Sequence, residues 1–519
     1  MNSPLDHNWD VIVVGTGIGG GTVGRALAEA GKKVLFVEKG PKGHRREQTP
    51  LSHDIFVPEA RLARGLWPGQ MRAIIDGKKN LFFGPLGAGL GGSSSFYAAT
   101  LERPAPHDLD DCETCPHPNG AWPVSYAEFE PYLSRAEALF HVSGAPCPLS
   151  PPPSGELAVP HPMNEVDKHI SQRLREASMT PYHLHSAIRR LENCNECLGF
   201  KCPRDCKMDG RSAGVEPALA TGNAALLDCT EVTKLESEAG EITSLWARRA
   251  GETLMLNAPV VVLAGGAFGT PRLCLTSTSE TDPNGIANIS GLVGRGLMFH
   301  VNEMLAVWPG LKGGLPSKSL GFRDILCKDG MRLGMVQSMG INASYGEILH
   351  YIRQRLARSQ VGGSRLAREI ARLPAALAAT LLGEAKIFVG LMEDFPYDEN
   401  RVLPTETDEI AFEYRLSKEL RKRRKVFRKA LRSAFKGQRR LLLSGAPELN
   451  FGHPCGTMRF GDNAASSVLR ADGRSHEISN LYVADASFMP SSTGVNPSLT
   501  IAAQALRVSE AILQRGSDG

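Results

Sequence analysis

The chain has 519 residues, 42% hydrophobic and 22% charged, and its 59 Lys plus Arg against 55 Asp plus Glu leave a net charge of +4. That length allows about three domain-sized units, the ordinary apolar-to-charged balance excludes wholesale disorder, and no run of 18 apolar residues offers a transmembrane helix. So small a net charge singles out no partner, while 54 glycines against the ~36 of average usage point to backbone that approaches a phosphate-bearing ligand closely.

The N-terminus, MNSPLDHNWDVIVVG, has no basic n-region or apolar h-region, so a cytoplasmic, reducing setting is expected. Residues 10–14 (DVIVV) read as a buried parallel strand. Gly15, Gly17 and Gly20 follow in the spacing G-x-G-x-x-G, then a helix over 21–30 and a second strand over 33–37 that ends at Glu38. Gly15 permits the tight turn, Gly17 lets backbone approach a pyrophosphate, and Gly20 lets the helix pack on the sheet. Glu38, 18 residues beyond Gly20, stands where an acid takes ribose hydroxyls and repels a 2′-phosphate, so the unit predicts dinucleotide binding that disfavours NADP.

A second glycine cluster occupies 84–100 (GPLGAGLGGSSSFYAAT) and runs straight into mixed aromatic and apolar residues, unlike a linker. Cys112 and Cys115 form C-x2-C, and residues 145–153 (APCPLSPPP) mark a surface linker. Cys194, Cys197, Cys202 and Cys206 give C-x2-C-x4-C-x3-C. The odd total of 11 cysteines argues against a fully paired secreted scaffold. The spacing admits zinc, an iron–sulfur cluster, disulfides or free thiols. Cys229, Cys274 and Cys455 read as buried apolar residues. Residues 258–277 read as a strand, a Gly-Gly turn and a helix capped near Thr270 and Pro271.

An apolar stretch over 366–383 follows a basic run over 353–365. Residues 415–440 are intensely basic with Glu419 the only acid, yet Leu416, Leu420, Phe427, Leu431 and Phe435 recur at helical spacing. The segment reads as a solvated helix, or as a face for an anionic membrane surface, an acidic partner or an anionic substrate. Nothing suggests nucleic acid. The C-terminal part carries GHPCGTMRFG and LYVADASFMPSSTGVNPSLT.

In these last two motifs, and in DVIVVGTGIGGG…VEKG, GGSSSFY, VVVLAGGAFGTPRL, VGRGLMFH and EDFPYDENRVLP, nearly the whole chain resembles the glucose–methanol–choline (GMC) family of FAD-dependent oxidoreductases. The resemblance implies an α/β fold: a discontinuous Rossmann-like FAD domain (1–100, 205–300 and 450–519) and a substrate domain with an antiparallel sheet and helices (101–204 and 301–449). It implies FAD, with Gly15, Gly17, Gly20 and Glu38 on the ADP half and Gly91, Gly92 and Ser93 beside the pyrophosphate and flavin. Val232 would meet the adenine through its backbone, Asp485 the ribityl chain or pyrophosphate, and Asn496, Pro497 and Ser498 the pyrimidine edge. Some relatives attach FAD to a histidine in the GGSS loop; none stands in 84–100 here, so non-covalent FAD is expected.

The resemblance further implies oxidation of a CH–OH group of a sugar, aminosugar or other alcohol by hydride transfer to flavin, with His453 as proton acceptor and Asn496 as the second active-site residue, orienting the substrate oxygen by a hydrogen bond. His300, in LMFH, reads as structural. Some relatives carry an iron–sulfur cluster near the position of Cys194, Cys197, Cys202 and Cys206. That leaves an alternative: the catalytic subunit of a larger dehydrogenase, passing electrons to a cytochrome or quinone through an electron-acceptor protein.

Overall fold

In the computed structural model, residues 4–44, 57–311, 317–342, 348–349, 351–353, 356, 369–405, 407 and 409–515 are described. Five short strands, β1 (Val11–Val14), β2 (Val34–Val37), β3 (Ala224–Leu227), β4 (Val260–Leu263) and β5 (Leu481–Val483), form an all-parallel sheet in the order β5-β4-β1-β2-β3. They read as unbroken apolar runs because both faces of such a sheet are covered.

Helix α1 (Ile18–Glu29) starts three residues before the expected position, taking Gly19, Gly20 and Gly21 inside it. Mid-helix glycine costs about 1 kcal/mol relative to alanine, and close backbone contact explains its use. A Cβ on Gly19 would lie 1.5 Å from the Ala484 carbonyl oxygen, and one on Gly21 2.5 Å from that of Gly210. Gly20 would strike the Gly15 carbonyl at 2.2 Å, as its assigned role in helix–sheet packing requires.

Helix α2 (Gly266–Thr276) follows β4 and contains Thr270 and Pro271 in its interior rather than at a cap. Pro271 has no N–H for the Ala267 carbonyl; the Thr457 hydroxyl donates to that oxygen instead, at 2.8 Å.

The second large sheet is antiparallel. Its strands run 439–442, 301–308, 386–392, 334–342, 320–322 and 182–183, and 448–449 also pairs with 301–308. One face packs on α3 (Lys418–Ala434): Phe427 and Leu431 meet the bare backbone of Gly390. Arg424 and Arg428 of α3 both pair with buried Glu303, Arg423 pairs with Glu419, and Arg421 with Asp76 at 2.5 Å. Much of the basic charge on this helix is thus spent within the protein. Most of the basic run over 353–365 lies outside the described residues.

Helix α4 (Ser498–Arg515) packs Ala505, Val508 and Ile512 against Val23, Leu27 and Ala28 of α1. Arg332 is buried; it bonds to both oxygens of Glu393, at 2.9 and 3.1 Å, and to Asp108 at 3.1 Å. Asp108 in turn accepts from the Gly494 N–H at 3.1 Å, fixing the GVNPSL loop. Cys115 and Cys327 are disulfide-linked, a pairing the sequence did not suggest. Cys274 and Cys455 are buried as expected, but Cys229 is exposed, on a left-handed turn next to Asp228.

Candidate active site

A cavity of about 390 Å³ runs from the C-terminal ends of the parallel strands to the open face of the antiparallel sheet. Gly15, Gly17, Glu38, Gly92, Ser93, Val232, His453, Asp485, Asn496, Pro497 and Ser498 line it. Gly20 and Gly91 lie behind the wall. Gly91 has a φ of +91°, and its N–H donates at 3.2 Å to the hydroxyl of Thr16, tying the GGSSSFY loop to the β1–α1 turn.

Thr16 carries no motif signal of its own. Its hydroxyl also donates to Glu38 at 2.6 Å and its N–H at 3.2 Å, while Gly40 N–H donates to the other Glu38 oxygen at 3.1 Å. Burial raises the Glu38 carboxyl, and these hydrogen bonds oppose the rise. Asp485 is likewise occupied internally: it accepts from Gly266 N–H, the Thr270 hydroxyl and both donors of Ser487. It therefore braces the start of α2 at the cavity wall.

The backbone lining this end is bare. A Cβ added at Gly17, Gly266 or Gly269 would meet nothing within 4 Å. α1 begins at the same point, and the first N–H groups of a helix have no partner within it. Bare backbone, free N–H groups and the positive helix end fit a pyrophosphate.

At the other end, two histidines meet. His300 Nε2 lies 3.1 Å from the Thr493 carbonyl oxygen, and His300 Nδ1 lies 3.1 Å from His453 Nδ1. A carbonyl only accepts, so His300 carries its proton on Nε2 and offers a lone pair at Nδ1. His453 must then donate from Nδ1, which leaves its Nε2 as a bare lone pair. Among the described residues no side chain or backbone group occupies that nitrogen. Burial pushes His300 down to about 4 and His453 well below the usual histidine range, the latter aided by His300 and Lys318. Both rings are neutral near pH 7. Asn496 is buried on the same cavity, with its amide oxygen unpartnered among the described residues.

His300, read from the sequence as structural, thus sets the tautomer of His453. Sequence reasoning missed this because the contact spans 153 positions.

The metal expectation at Cys194, Cys197, Cys202 and Cys206 gains no support from the structure. Among the described residues, no three or more His, Cys, Asp or Glu side chains are arranged to hold a metal ion. The thiols of Cys194, Cys197, Cys202 and Cys206 lie near enough to act on one another: Cys197 meets Cys202 and Cys206 meets Cys194, while Cys194 also acts on Cys197 and Cys202 on Cys206. The loop that carries them turns at the positive φ of Asn193, Glu196 and Cys197. Purified protein is expected to contain well under one iron or zinc per chain by metal analysis; a stoichiometric metal would assign the four thiols a ligand role.

Beside this loop, buried Lys207 donates to the carbonyls of Ser95, Tyr97, Cys197 and Phe200, joining the GGSSSFY loop to the cysteine loop. No described helix is long and apolar enough to cross a membrane.

Family models described as GMC oxidoreductase match residues 9–302 and 403–505. The chain is 28% identical to 6'''-hydroxyparomomycin C oxidase of Streptomyces lividus, over 98% of this chain and 92% of that protein. It is 27% identical to 2-methyl-1,2-propanediol dehydrogenase of Mycolicibacterium austroafricanum, over 100% and 97%. The fold is similar to that of formate oxidase, with a TM-score of 0.65 at 16% identity over 98% and 99% of the two chains. A parallel sheet and an antiparallel sheet enclosing one cavity, the glycine-rich β1–α1 turn and the match along both parts of the chain agree: the chain belongs to the GMC oxidoreductases, enzymes that act on alcohol groups.

Proposed function

We propose that the chain binds FAD without a covalent bond and oxidises a CH–OH group of a sugar or other alcohol to the carbonyl, with His453 as proton acceptor. The observation that supports this most directly is the free Nε2 of His453, presented to the cavity by the chain from Thr493 through His300. Residues 1–100, 205–300 and 450–519 would form the cofactor domain. There the Gly15–Gly17 turn and the start of α1 would hold the pyrophosphate, Val232 the adenine, and Asn496, Pro497 and Ser498 the flavin edge. When bound, FAD supplies the acceptor for the hydride that leaves the substrate carbon.

The residues of the chain do the rest. Burial keeps His453 neutral, so its Nε2 can take the hydroxyl proton at pH 7. The Asn496 amide donates to the substrate oxygen and holds it as charge develops there. His300 holds the ring of His453 in one tautomer, a positioning role. His300→Gln is expected to keep the flavin and slow its reduction, and to move the acid limb of the rate profile. A reduction rate and pH profile matching the parent would remove His300 from the assignment.

Acid precipitation is expected to release all of the flavin into the supernatant. Yellow colour left in the pellet would show a covalent link and contradict this part of the reading.

A further inference from the structure

The cavity wall formed by the antiparallel sheet is unusual for a buried sheet face. Side chains alternate along a strand, so one face of strands 301–308, 386–392 and 334–342 presents Asn302, Leu391, Val389, Gln337 and Met339 together. Two of these are amides. Asn302 and Gln337 each have a buried amide oxygen with no donor among the described residues. A buried polar atom left without a partner costs about 1–3 kcal/mol, so such atoms call for an explanation.

Lys318 joins them. It lies just before strand 320–322, packed against Gly340, 3% exposed and lining the same cavity. Among the described residues its ammonium makes no hydrogen bond or ion pair. Three charged or titratable groups act on it: Glu102, Glu196 and His453. Both acids are committed elsewhere, Glu102 to Arg323 and Glu196 to Arg190 at 2.9 Å. His453 is neutral. Burial brings the Lys318 ammonium down to about 8, so it remains mostly charged at pH 7. A buried cation without a counter-charge is costly unless a ligand supplies one.

Resting on the oxidation reading above, we propose that the substrate is an anionic polyol, a polyhydroxylated carboxylate whose acid group pairs with Lys318 and whose hydroxyls donate to Asn302 and Gln337. The same cation opposes substrates that carry ammonium groups, so aminosugars are disfavoured. The carboxylate would anchor one end of the molecule and set which hydroxyl reaches His453 Nε2.

The test uses the holoenzyme and three probes that differ mainly in charge: glucuronate, glucose and glucosamine. Dissociation constants measured by calorimetry at pH 7 are expected to rise in that order, with glucuronate at least tenfold tighter than glucose. The advantage of glucuronate should fade above pH about 8 as Lys318 loses its proton. Lys318→Met should erase the order, and Lys318→Arg should keep it. Equal binding of the three probes by the parent enzyme would overturn the proposal. So would an unchanged order in Lys318→Met, particularly with a shifted flavin reduction potential, which would place the cation against the flavin instead.

Binding does not require chemistry, so His453→Gln should preserve the order. If the order holds but no anionic polyol in a wider panel reduces the flavin, the subsite stands and the oxidation reading fails.

Discussion

Replacing His453 with Ala or Gln is expected to leave FAD bound and to slow flavin reduction by ~10²–10⁴-fold, the usual worth of a positioned proton acceptor. The expectation rests on the single free lone pair that the His300–Thr493 chain leaves at Nε2. Stopped-flow reduction under anaerobic conditions reads the effect directly, and a rate within twofold of the parent would place the proton acceptor elsewhere. The sign of the pH dependence follows from burial. The pKa of His453 is depressed, so its active neutral form persists as pH falls through the ordinary histidine range. Reduction should therefore stay flat from pH 8 down past 6.5 and decline only on the acid side. A fall centred at 6.5 would mean that the ring is solvated.

The largest stability effect is expected at Arg332, away from the reacting groups. Arg332→Met removes the cation shared by Glu393 and Asp108 and leaves two carboxylates buried without it. Removing one partner of a buried pair typically costs about 3–5 kcal/mol. Denaturant unfolding should show a loss of that order. Adding Glu393→Gln should recover part of it, because one of the stranded charges is gone. A loss below about 1 kcal/mol would mean that the network bears little strain when broken. Asp108 also holds the Gly494 N–H, so the single variant should loosen Asn496 as well, with slower flavin reduction at temperatures where the protein is still folded.

The nucleotide end of the site was legible in the sequence because its logic is local. Strand, turn glycines, helix and Glu38 lie within 28 residues, and each role follows from backbone geometry. The start of α1 was misplaced because three glycines ordinarily argue against a helix; contacts with Gly210 and Ala484, far along the chain, override that propensity. His453 and Asn496, which both line the cavity, stand in family motifs and so drew notice in the sequence. The convergence of His300, Asn302, Gln337 and Lys318 did not, since it depends on strand register and on loops that meet across the sheet. The cysteines were less legible: a knuckle-like spacing brings Cys194, Cys197, Cys202 and Cys206 near one another, but spacing alone does not separate a metal site from a loop of thiols.

The order of strands in the parallel sheet also constrains how the chain is made. The middle strand β1 is synthesised first, yet its neighbour β4 begins 249 positions later and the edge strand β5 ends at residue 483. At the ~5–20 residues per second of translation, β1 waits roughly 12–50 s for β4 and longer still for α4 to cover α1. During that interval a wholly apolar strand, VIVV, has one open edge and an uncovered helix. The nascent chain therefore passes through a sticky, incomplete state that a sheet built from one contiguous stretch of sequence would avoid, and its yield in a cell should respond to chaperone supply and to translation rate.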